Sequence, residues 1–296
     1  MRACVIFNPV AKGEKARQFR SALDRIATEC TLKKTAAAGD GRRLAAEAVR
    51  EGFELVIAAG GDGTLNEVLN GVGDAPDGFR RACLGVLPLG TVNVFARELK
   101  IPLQPDAAWE ILRRRHETRL DLPCAEFTVN GQPQRRYFAQ LAGAGLDARA
   151  IELVSWPLKK KIGPLAYIVA GLQALTQKHA LITASNGRQT HTGELMLIGN
   201  GQLYGGNYEV LAGADLRDGL LDVCVFPRVG WWTLARCALP LLIRGRLPEK
   251  VVRRFRTRSF SLSANSPVAF ELEGDLVGHL PATISVQREA LRVLVP

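Results

Sequence analysis

The sequence predicts an α/β amino-terminal domain with a doubly wound parallel sheet, followed by a mainly antiparallel, β-sandwich-like carboxy-terminal domain. Three observations carry this prediction. Strand-like and helix-like runs alternate through the first 120 residues, strand-like runs dominate after about residue 121, and the 296-residue chain is long enough for two domains. We therefore place the domains at 1–121 and 122–296, with the last strand free to return to the first domain, and expect the active site in the cleft between them.

The amino-terminal elements follow from apolar runs separated by turn signals. Strands are predicted at 3–7, 31–35, 54–59 and 83–87, and helices at 14–29, 42–50, 92–99 and 106–115, with a further helix from a glycine-rich loop to about residue 70. Repeated β-α-β units imply that these strands are parallel. Sheets of this kind bind ligands at the carboxyl ends of their strands, so we expect a site at that edge.

Beyond residue 121 the pattern changes to short strands and hairpin turns. Strands are predicted at 125–129, 136–141, 195–200, 221–226, 259–263, 268–272, 283–286 and 291–295, and helices near 162–177 and 231–243. Asn130-Gly131 and Asn186-Gly187 are typical of hairpin turns, because both residue types readily adopt a positive φ. The second domain is therefore expected to be mainly antiparallel.

Composition excludes several classes of protein. Lys and Arg number 39 against 29 Asp and Glu, a formal charge of +10, which favours nucleic acid, an acidic membrane surface or a phosphorylated ligand as partner. The apolar run at 237–243 is much shorter than the about 20 residues that a membrane-spanning helix needs. The chain begins without the features of a signal peptide, and its six scattered cysteines are typical of reduced core thiols, so we expect a cytoplasmic protein.

A glycine-rich loop, Gly60-Gly61-Asp62-Gly63-Thr64, joins a predicted strand to a helix. Glycines let the backbone approach a phosphate closely, and the start of a helix offers unpaired N–H groups. The loop is neither a Walker A loop nor a dinucleotide-binding fingerprint. A structural interpretation is equally open, because Thr64 and Glu67 have the spacing of a capping box and aspartate between glycines also makes a tight turn.

A second strand-to-helix turn contains Gly90, Thr91 and Asn93. In a doubly wound sheet, two such turns can lie side by side over one crevice and hold the phosphates and sugar of a nucleotide between them. Taken alone, this segment is explained more simply as a loop in which Thr91 caps the following helix.

Two acidic segments lie in the second domain. Asp215 and Asp218 stand three residues apart before a glycine, so they and a following carbonyl could converge as hard oxygen ligands for Mg²⁺ or Ca²⁺. The simpler interpretation is a solvated Asp-Gly turn.

The second acidic segment is Glu271 to Asp275. Alternation along a strand would place Glu271, Glu273 and Asp275 on one side, where a carboxylate can take the proton of a substrate hydroxyl.

Together these segments resemble the diacylglycerol kinase catalytic-domain family, which includes bacterial lipid kinases and the sphingosine and ceramide kinases. The resemblance rests, in chain order, on Asn8-Pro9, GGDGTLNE at 60–67, PLGTVNVFARELKIP at 88–102, Gly163-Pro164-Leu165-Ala166-Tyr167, the segment at 207–226 and Glu273-Gly274-Asp275. It implies an enzyme that transfers the γ-phosphate of ATP to a lipid hydroxyl, with Mg²⁺ as cofactor. The acceptor implied is diacylglycerol-like, phosphatidylglycerol, ceramide or a sphingoid base.

The resemblance also implies roles for individual residues. Asp62 would organise the catalytic Mg²⁺, and Asp275 would be the general base. A second, structural Mg²⁺ or Ca²⁺ would be held by Asp215, Asp218 and the Leu220 carbonyl. The nucleotide would lie against Asn8, Thr35, Gly60, Gly61, Asp62, Gly63, Thr64, Leu65, Asn66, Glu67, Thr91 and Asn93.

The last acidic motif departs from the family pattern. The family has Asp-Gly-Glu where this chain has Glu273-Gly274-Asp275, so the base would stand on a side chain about one methylene shorter. Either Asp275 still serves, with compensation elsewhere, or the activity is weak or altered. The family also often has Gly-Thr-Gly-Asn-Asp where this chain has Gly90-Thr91-Val92-Asn93-Val94, so the identity of the acceptor stays open. Two alternative functions stay open as well. One is an NAD kinase-like enzyme, since that superfamily shares the GGDGT loop, and the other is a non-catalytic nucleotide- or lipid-binding protein.

The positive charge lies mostly in the second domain. Residues 1–121 carry 19 basic and 16 acidic side chains, against 20 and 13 in residues 122–296. Basic residues beside Trp231-Trp232 are typical of proteins that dock peripherally on an anionic membrane, here the inner membrane face. For any single basic patch, a solvated surface explains the charge at least as well. The sequence contains no helix-turn-helix, RNP or zinc-finger pattern, so no nucleic-acid partner is expected. Its oligomeric state is left open.

Overall fold

The architecture is taken from a computed structural model, which describes residues 2–9, 26–153, 171–248 and 250–296. Most of the helices predicted at 14–29 and 162–177 fall outside these residues. The same holds for the Gly163-Pro164-Leu165-Ala166-Tyr167 motif.

Four parallel strands form one end of the larger sheet. They are β1 (Ala3–Phe7), β2 (Thr31–Lys34), β3 (Leu55–Gly60) and β4 (Cys83–Pro88), and they pair in the order β2-β1-β3-β4. β3 and β4 are buried along their whole length, as expected for parallel strands covered on both faces. This arrangement confirms the predicted parallel sheet and brings the carboxyl ends of the four strands to one edge.

The helices of this domain cover the parallel strands. Those with described bounds are α1 (Asp40–Arg50), α2 (Asp62–Asp74), α3 (Gly78–Arg81), α4 (Val94–Glu98) and α5 (Pro105–Arg114). α1 and α2 pack against each other, and both contribute apolar side chains to the core around the sheet. Because α1 follows β2 and α2 follows β3, both helices begin at the carboxyl edge, and their first N–H groups, which have no acceptor within the helix, lie there.

Two long strands join the halves of the molecule. β5 (Glu117–Val129) and β18 (Ala282–Leu294) are antiparallel partners, and β18 also runs parallel to β4 at Val293 and Leu84. The strands predicted at 283–286 and 291–295 are therefore one strand, with an irregular register between Gln287 and Leu291. The expected boundary after residue 121 falls inside β5, and the division into 1–121 and 122–296 stays a prediction.

The remaining strands extend the larger sheet and build a second, antiparallel one. The larger sheet gains β6 (Gln132–Tyr137), β8 (Ile182–Ser185), β9 (Thr190–Gly193) and β15 (Ser259–Ala264). The second sheet contains β7 (Leu141–Gly145), β10 (Leu195–Gly199), β13 (Leu221–Phe226), β14 (Arg253–Thr257), β16 (Ala269–Leu272) and β17 (Asp275–His279). A short ribbon is formed by β11 (Leu203–Tyr204) and β12 (Tyr208–Glu209). The single strand predicted at 136–141 was wrong, because β6 ends at Tyr137 and β7 begins at Leu141.

The two sheets pack face to face, which confirms the predicted sandwich. Phe127 and Ile284 from the larger sheet meet Ile198 and Phe270 from the second. The helix α6 (Leu146–Leu153) follows β7. The outer face of the second sheet is covered by the segment 210–214 and by α7 (Trp231–Arg244).

All six cysteines are free thiols. Among the helices that the structure describes, none is long and apolar enough to cross a membrane.

Candidate active site

Several of the predicted nucleotide-site residues lie together at the carboxyl edge of the parallel strands. Asn8 follows β1 and donates its backbone N–H to Ala59 (3.1 Å), while Thr35 follows β2 and donates to Phe7 (3.0 Å). The Asn8 side chain lies 3.4 Å from the Thr64 hydroxyl, to which it donates. Because parallel strands end together, residues far apart in sequence line one short stretch of surface.

The two glycine turns cross each other directly. The Gly90 N–H donates to the Gly60 carbonyl across 3.2 Å. A Cβ placed on Gly90 would stand 2.5 Å from the Cα of Gly61, a distance that no side chain can occupy. The approach of backbone to backbone therefore requires glycine at position 90. The two turns form one continuous surface, as expected for neighbouring strand-to-helix turns.

Asp62 clamps the first glycine turn to the second. It is the first residue of α2, and its two carboxylate oxygens accept the backbone N–H groups of Asn93 (2.9 Å) and Val94 (2.7 Å) at the start of α4. Burial raises the pKa of the Asp62 carboxyl, although these N–H groups oppose the shift. Asp62 thus shapes the turn where a phosphate would bind.

The predicted capping box at Thr64 and Glu67 is wrong. Helix α2 begins two residues before Thr64, with Gly61 as its N-cap and no side-chain cap. Glu67 instead reaches across to the start of α1, where its carboxylate accepts the backbone N–H groups of Gly39 and Gly41, each at 2.8 Å. The carboxylate therefore satisfies donors of a different helix, which holds the 35–41 loop against α2.

Three predicted nucleotide contacts differ in their exposure. The Thr91 side chain is exposed beside the crossed turns. Asn93 is almost completely buried, and its amide group bonds to both backbone groups of Gly90, so it closes its own turn. The side chain of Leu65 packs in the domain core, so only its backbone could meet a ligand. Leu65 therefore stays a predicted nucleotide contact through its backbone.

The acidic motif at 271–275 forms a hairpin turn instead of one continuous strand. β16 ends at Leu272 and β17 begins at Asp275, and both turn residues have a positive φ, 55° for Glu273 and 84° for Gly274. A positive φ is unfavourable for glutamate, so its side-chain contacts must hold it there. Strict alternation of the three carboxylates on one strand side was therefore a wrong expectation.

Glu273 turns inward and binds the end of the neighbouring chain segment. One of its oxygens accepts the backbone N–H groups of Ala139 and Gln140, each at 2.6 Å. Burial raises the pKa of this carboxyl to about 7, and the charge of Asp62 adds to the rise. Glu273 and Asp62 thus bring negative charge from the two domains to the same place.

A second buried carboxylate pair supports the hairpin. Glu271 accepts the backbone N–H of Gly274 at 2.7 Å and lies against Asp147, which in turn accepts the Tyr204 hydroxyl at 2.5 Å. Burial and their mutual repulsion raise the pKa of the Glu271 carboxyl well above its ordinary value. Contact between two carboxyls favours the protonated form of one of them. A Cβ on Gly143 would stand only 2.6 Å from Glu271, which explains the glycine there.

A cleft of about 630 Å³ separates α2 from the second domain. On one side lie Asn66, Glu67 and Asn70 of α2, and on the other lie Arg136 of β6 and Asp275 of β17. Asp275 is exposed to the cleft, and its Oδ2 lies 4.0 Å from the point where a Cβ on Gly63 would stand. The cleft therefore connects the first glycine turn to a carboxylate of the second domain.

Arg136 is one of two cations that line this cleft, the other being Arg42. Burial lowers the pKa of its guanidinium, with the nearby Arg42 adding to the effect, while Asp275 and Glu67 oppose it. Arg42 itself is paired with Asp74 through two short hydrogen bonds. No carboxylate among the described residues pairs with Arg136, and its charge is available for an anion.

The cleft is held in shape by Asn70. Its amide group donates to the Tyr137 carbonyl (2.9 Å) and accepts the Tyr137 N–H (2.8 Å), so α2 and the end of β6 are joined edge to edge. The sequence did not indicate this contact, because Asn70 and Tyr137 are 67 residues apart.

The predicted metal turn lies apart from the cleft. Asp218 accepts the Leu220 N–H at 2.9 Å and pairs with Arg256, which also binds Asp222 at 3.0 Å. Asp215 accepts the N–H of Arg217 within the turn. A cation here would have to displace Arg256 from Asp218, so these residues do not fit a metal ion as they stand.

Among the described residues, no group of three or more His, Cys, Asp or Glu side chains is placed to hold a metal ion. The site at Asp215, Asp218 and Leu220 stays a prediction.

Comparison with known families agrees with this arrangement over both halves of the chain. Residues 2–125 match the diacylglycerol kinase catalytic domain. Residues 140–295, more than half of the chain, match the YegS C-terminal NAD kinase beta sandwich-like domain. The chain belongs to the diacylglycerol kinase family. Membership confirms the resemblance drawn from the glycine-rich turns and makes the protein a phosphotransferase of the lipid kinase class.

Individual relatives cover the whole chain. A diacylglycerol kinase of Staphylococcus saprophyticus is 29% identical over 303 residues, spanning 100% of this chain and 95% of its own length. One of Staphylococcus haemolyticus is 29% identical over 306 residues, with 100% and 89% covered. A crystal structure of a diacylglycerol kinase from Bacillus anthracis superposes with a TM-score of 0.72 at 20% identity, covering 100% of this chain and 97% of that one, which confirms the fold.

Proposed function

We propose that this member of the diacylglycerol kinase family transfers the γ-phosphate of ATP to a lipid hydroxyl in the cleft between α2 and the hairpin at Glu273-Gly274. The observation that supports this most is the shared cleft. It places the cation Arg136 and the exposed carboxylate Asp275 opposite the helix that begins at the crossed glycine turns. Phosphoryl transfer needs these parts together, since its catalysis is mostly positioning and charge neutralisation.

The triphosphate would lie on the crossed turns. The backbone around Gly61 and Gly63 and the start of α2 offer N–H groups and the positive end of the helix dipole. Arg136 would neutralise phosphate charge from the opposite side of the cleft. Asn8, Thr35 and Thr64 stand at the strand ends beside these turns, where the rest of the nucleotide would fit.

Mg²⁺ would neutralise the charge of the transferring phosphate when bound with ATP. Asp62 and Glu273 interact through their charges at the first turn, and Asp275 lies opposite Gly63, so these carboxylates would attract the Mg²⁺ that ATP brings, although they do not form a ready-made metal site. The negative charge of Asp62 raises the pKa of Glu273. A cation bound near these two carboxylates would therefore stabilise their ionised forms.

Asp275 would take the proton of the acceptor hydroxyl. Its side chain is exposed to the cleft. Glu273, in contrast, is turned inward, and one of its oxygens accepts two backbone N–H groups. Glu273 and Glu271 would therefore position the hairpin, with Asp275 alone facing the substrate. The acceptor would be a lipid drawn from an anionic membrane surface.

Two other functions share parts of this site. An NAD kinase-like enzyme would use the same GGDGT turn, and the carboxy-terminal half matches a domain described as NAD kinase beta sandwich-like. A non-catalytic binding protein would keep the cleft and lack transfer. Both make predictions that differ from those of a lipid kinase.

The proposal is tested by incubating the protein with labelled ATP and Mg²⁺ and with one acceptor at a time: diacylglycerol, phosphatidylglycerol, ceramide, sphingosine or NAD. Transfer of the label to each acceptor is measured. Transfer to a lipid supports the proposal, whereas transfer to NAD alone, or ATP binding without transfer, contradicts it. Arg136→Gln should raise the KM for ATP about tenfold, because a charge-assisted contact is lost. Arg135→Gln is the matched control, since its side chain is exposed and lies near Glu126 and Cys124.

A further inference from the structure

Helix α7 is apolar on the face that it turns to solvent. Its inner side is fixed by Cys237, which is buried against the second sheet. On the other side, Trp232, Leu239 and Ile243 are 84%, 63% and 71% exposed. Their spacing of seven and four residues puts them on one side of the helix. A helix whose exposed face is apolar as well as its buried face is typical of an interaction site for a partner or a membrane.

The positive charge of the protein is concentrated around this helix. Residues 227–258 contain nine Lys and Arg and one acidic residue, Glu249, and so account for +8 of the total +10. Some of these cations are engaged, such as Arg246 with Glu209 and Arg256 with Asp218. Arg254 donates to the Val210 carbonyl. No described carboxylate pairs with Arg228, Arg236, Lys250, Arg253 or Arg258.

We infer that α7 docks the protein on a bilayer containing anionic phospholipid, with Trp232, Leu239 and Ile243 entering the interface. This inference rests on the proposed function, in which the acceptor is a lipid of the bilayer. Exposed apolar side chains beside unpaired cations are the two requirements of an interfacial helix. A second copy of the chain fits less well, because a two-fold contact through this face would bring +8 against +8.

The docking helix is connected to the catalytic cleft by a short chain of contacts. The Glu209 N–H donates to the Gly245 carbonyl at the end of α7 (2.7 Å), and Glu209 pairs with Arg246. Two residues earlier, Asn207 accepts a hydrogen bond from Arg97 of α4 (2.9 Å). Since α4 begins at the second glycine turn, docking through α7 would place the nucleotide end of the cleft in a fixed relation to the membrane surface.

The test measures co-sedimentation of the full chain with vesicles, without ATP. Vesicles of phosphatidylcholine alone are compared with vesicles that also contain phosphatidylglycerol. Trp232→Ala and Leu239→Ser should each weaken partitioning about tenfold, and Arg236→Gln should weaken it about fivefold. Leu181→Ser is the matched control for Leu239→Ser, because Leu181 is 50% exposed but lies outside α7. It should bind like the wild type.

Binding that requires anionic lipid, falls with added salt and is lost in the α7 variants supports the inference. Three results would overturn it: binding unaffected by the α7 variants, binding that ignores phosphatidylglycerol, or a dimer in solution that dissociates in Leu239→Ser. Phosphate transfer to a short-chain lipid dispersed in detergent should stay unchanged in the α7 variants. Failure of transfer in every variant and the wild type would instead count against the kinase proposal and leave the vesicle result standing.

Discussion

Replacing Glu273 by glutamine should reduce the pH dependence of folding. Burial raises the pKa of this carboxyl from 4.5 to about 7 in the folded protein. Between these values the folded chain holds a proton that the unfolded chain has released, so the free energy of unfolding falls as the pH rises. At about 1.4 kcal/mol for each pH unit between them, ionising Glu273 in the fold costs about 3 kcal/mol. The glutamine oxygen can still accept the N–H groups of Ala139 and Gln140.

Urea unfolding at about pH 5 and about pH 8 measures this effect. The wild type should lose about 2.5 kcal/mol more stability between these conditions than Glu273→Gln does, since a small part of the cost is already present at about pH 5. Glu289→Gln, at an exposed carboxyl, is the control and should follow the wild type. Equal pH dependence of the wild type and Glu273→Gln would refute the reasoning, since it would mean that Glu273 is as easily ionised in the fold as in water.

Three further predictions concern contacts around the cleft and the metal turn. Asp62→Asn places a donor against an N–H group of α4, so urea unfolding should show a loss of about 2–4 kcal/mol; unchanged stability would contradict the clamp. Asn70→Ala removes the two hydrogen bonds to Tyr137 and should lower the free energy of unfolding by about 2 kcal/mol. Because the cleft loosens, the KM for ATP should also rise; a wild-type KM would show that the cleft does not depend on this contact. Arg256→Met should cost about 1 kcal/mol, because the ion pair is partly exposed. It should also let added Mg²⁺ raise the Tm, and no response to Mg²⁺ would argue against a cation at Asp218.

The parallel half of the fold was predictable because its signals are local. Buried runs such as 55–60 and 83–88 are short and apolar, and each ends in a glycine turn that also begins a helix. The crossing of the two turns follows from the parallel sheet, since neighbouring strands end at one edge. The candidate nucleotide contacts Asn8 and Thr35 came from the family resemblance, and the structure places them at that same edge.

The other half of the site depends on contacts that a linear pattern does not contain. Arg136 enters the cleft only because β6 pairs with β5 and packs against α2. Glu67 caps a helix that precedes it in the chain, so its spacing from Thr64 was misleading. The hairpin at Glu273 was hidden because glutamate is an unusual residue for a positive φ. Tertiary contacts to Ala139 and Gln140 overrode that preference.

The most direct measurement is a single-turnover transfer from labelled ATP to lipid by Asp275→Asn, with ATP binding followed separately. Asparagine keeps the size of the side chain and cannot accept a proton. Transfer should fall by about 10² or more, while ATP binds as in the wild type. Transfer at the wild-type rate would contradict the assignment of Asp275 as the base. A parallel loss of ATP binding would mean that this carboxylate serves the nucleotide instead of the acceptor hydroxyl.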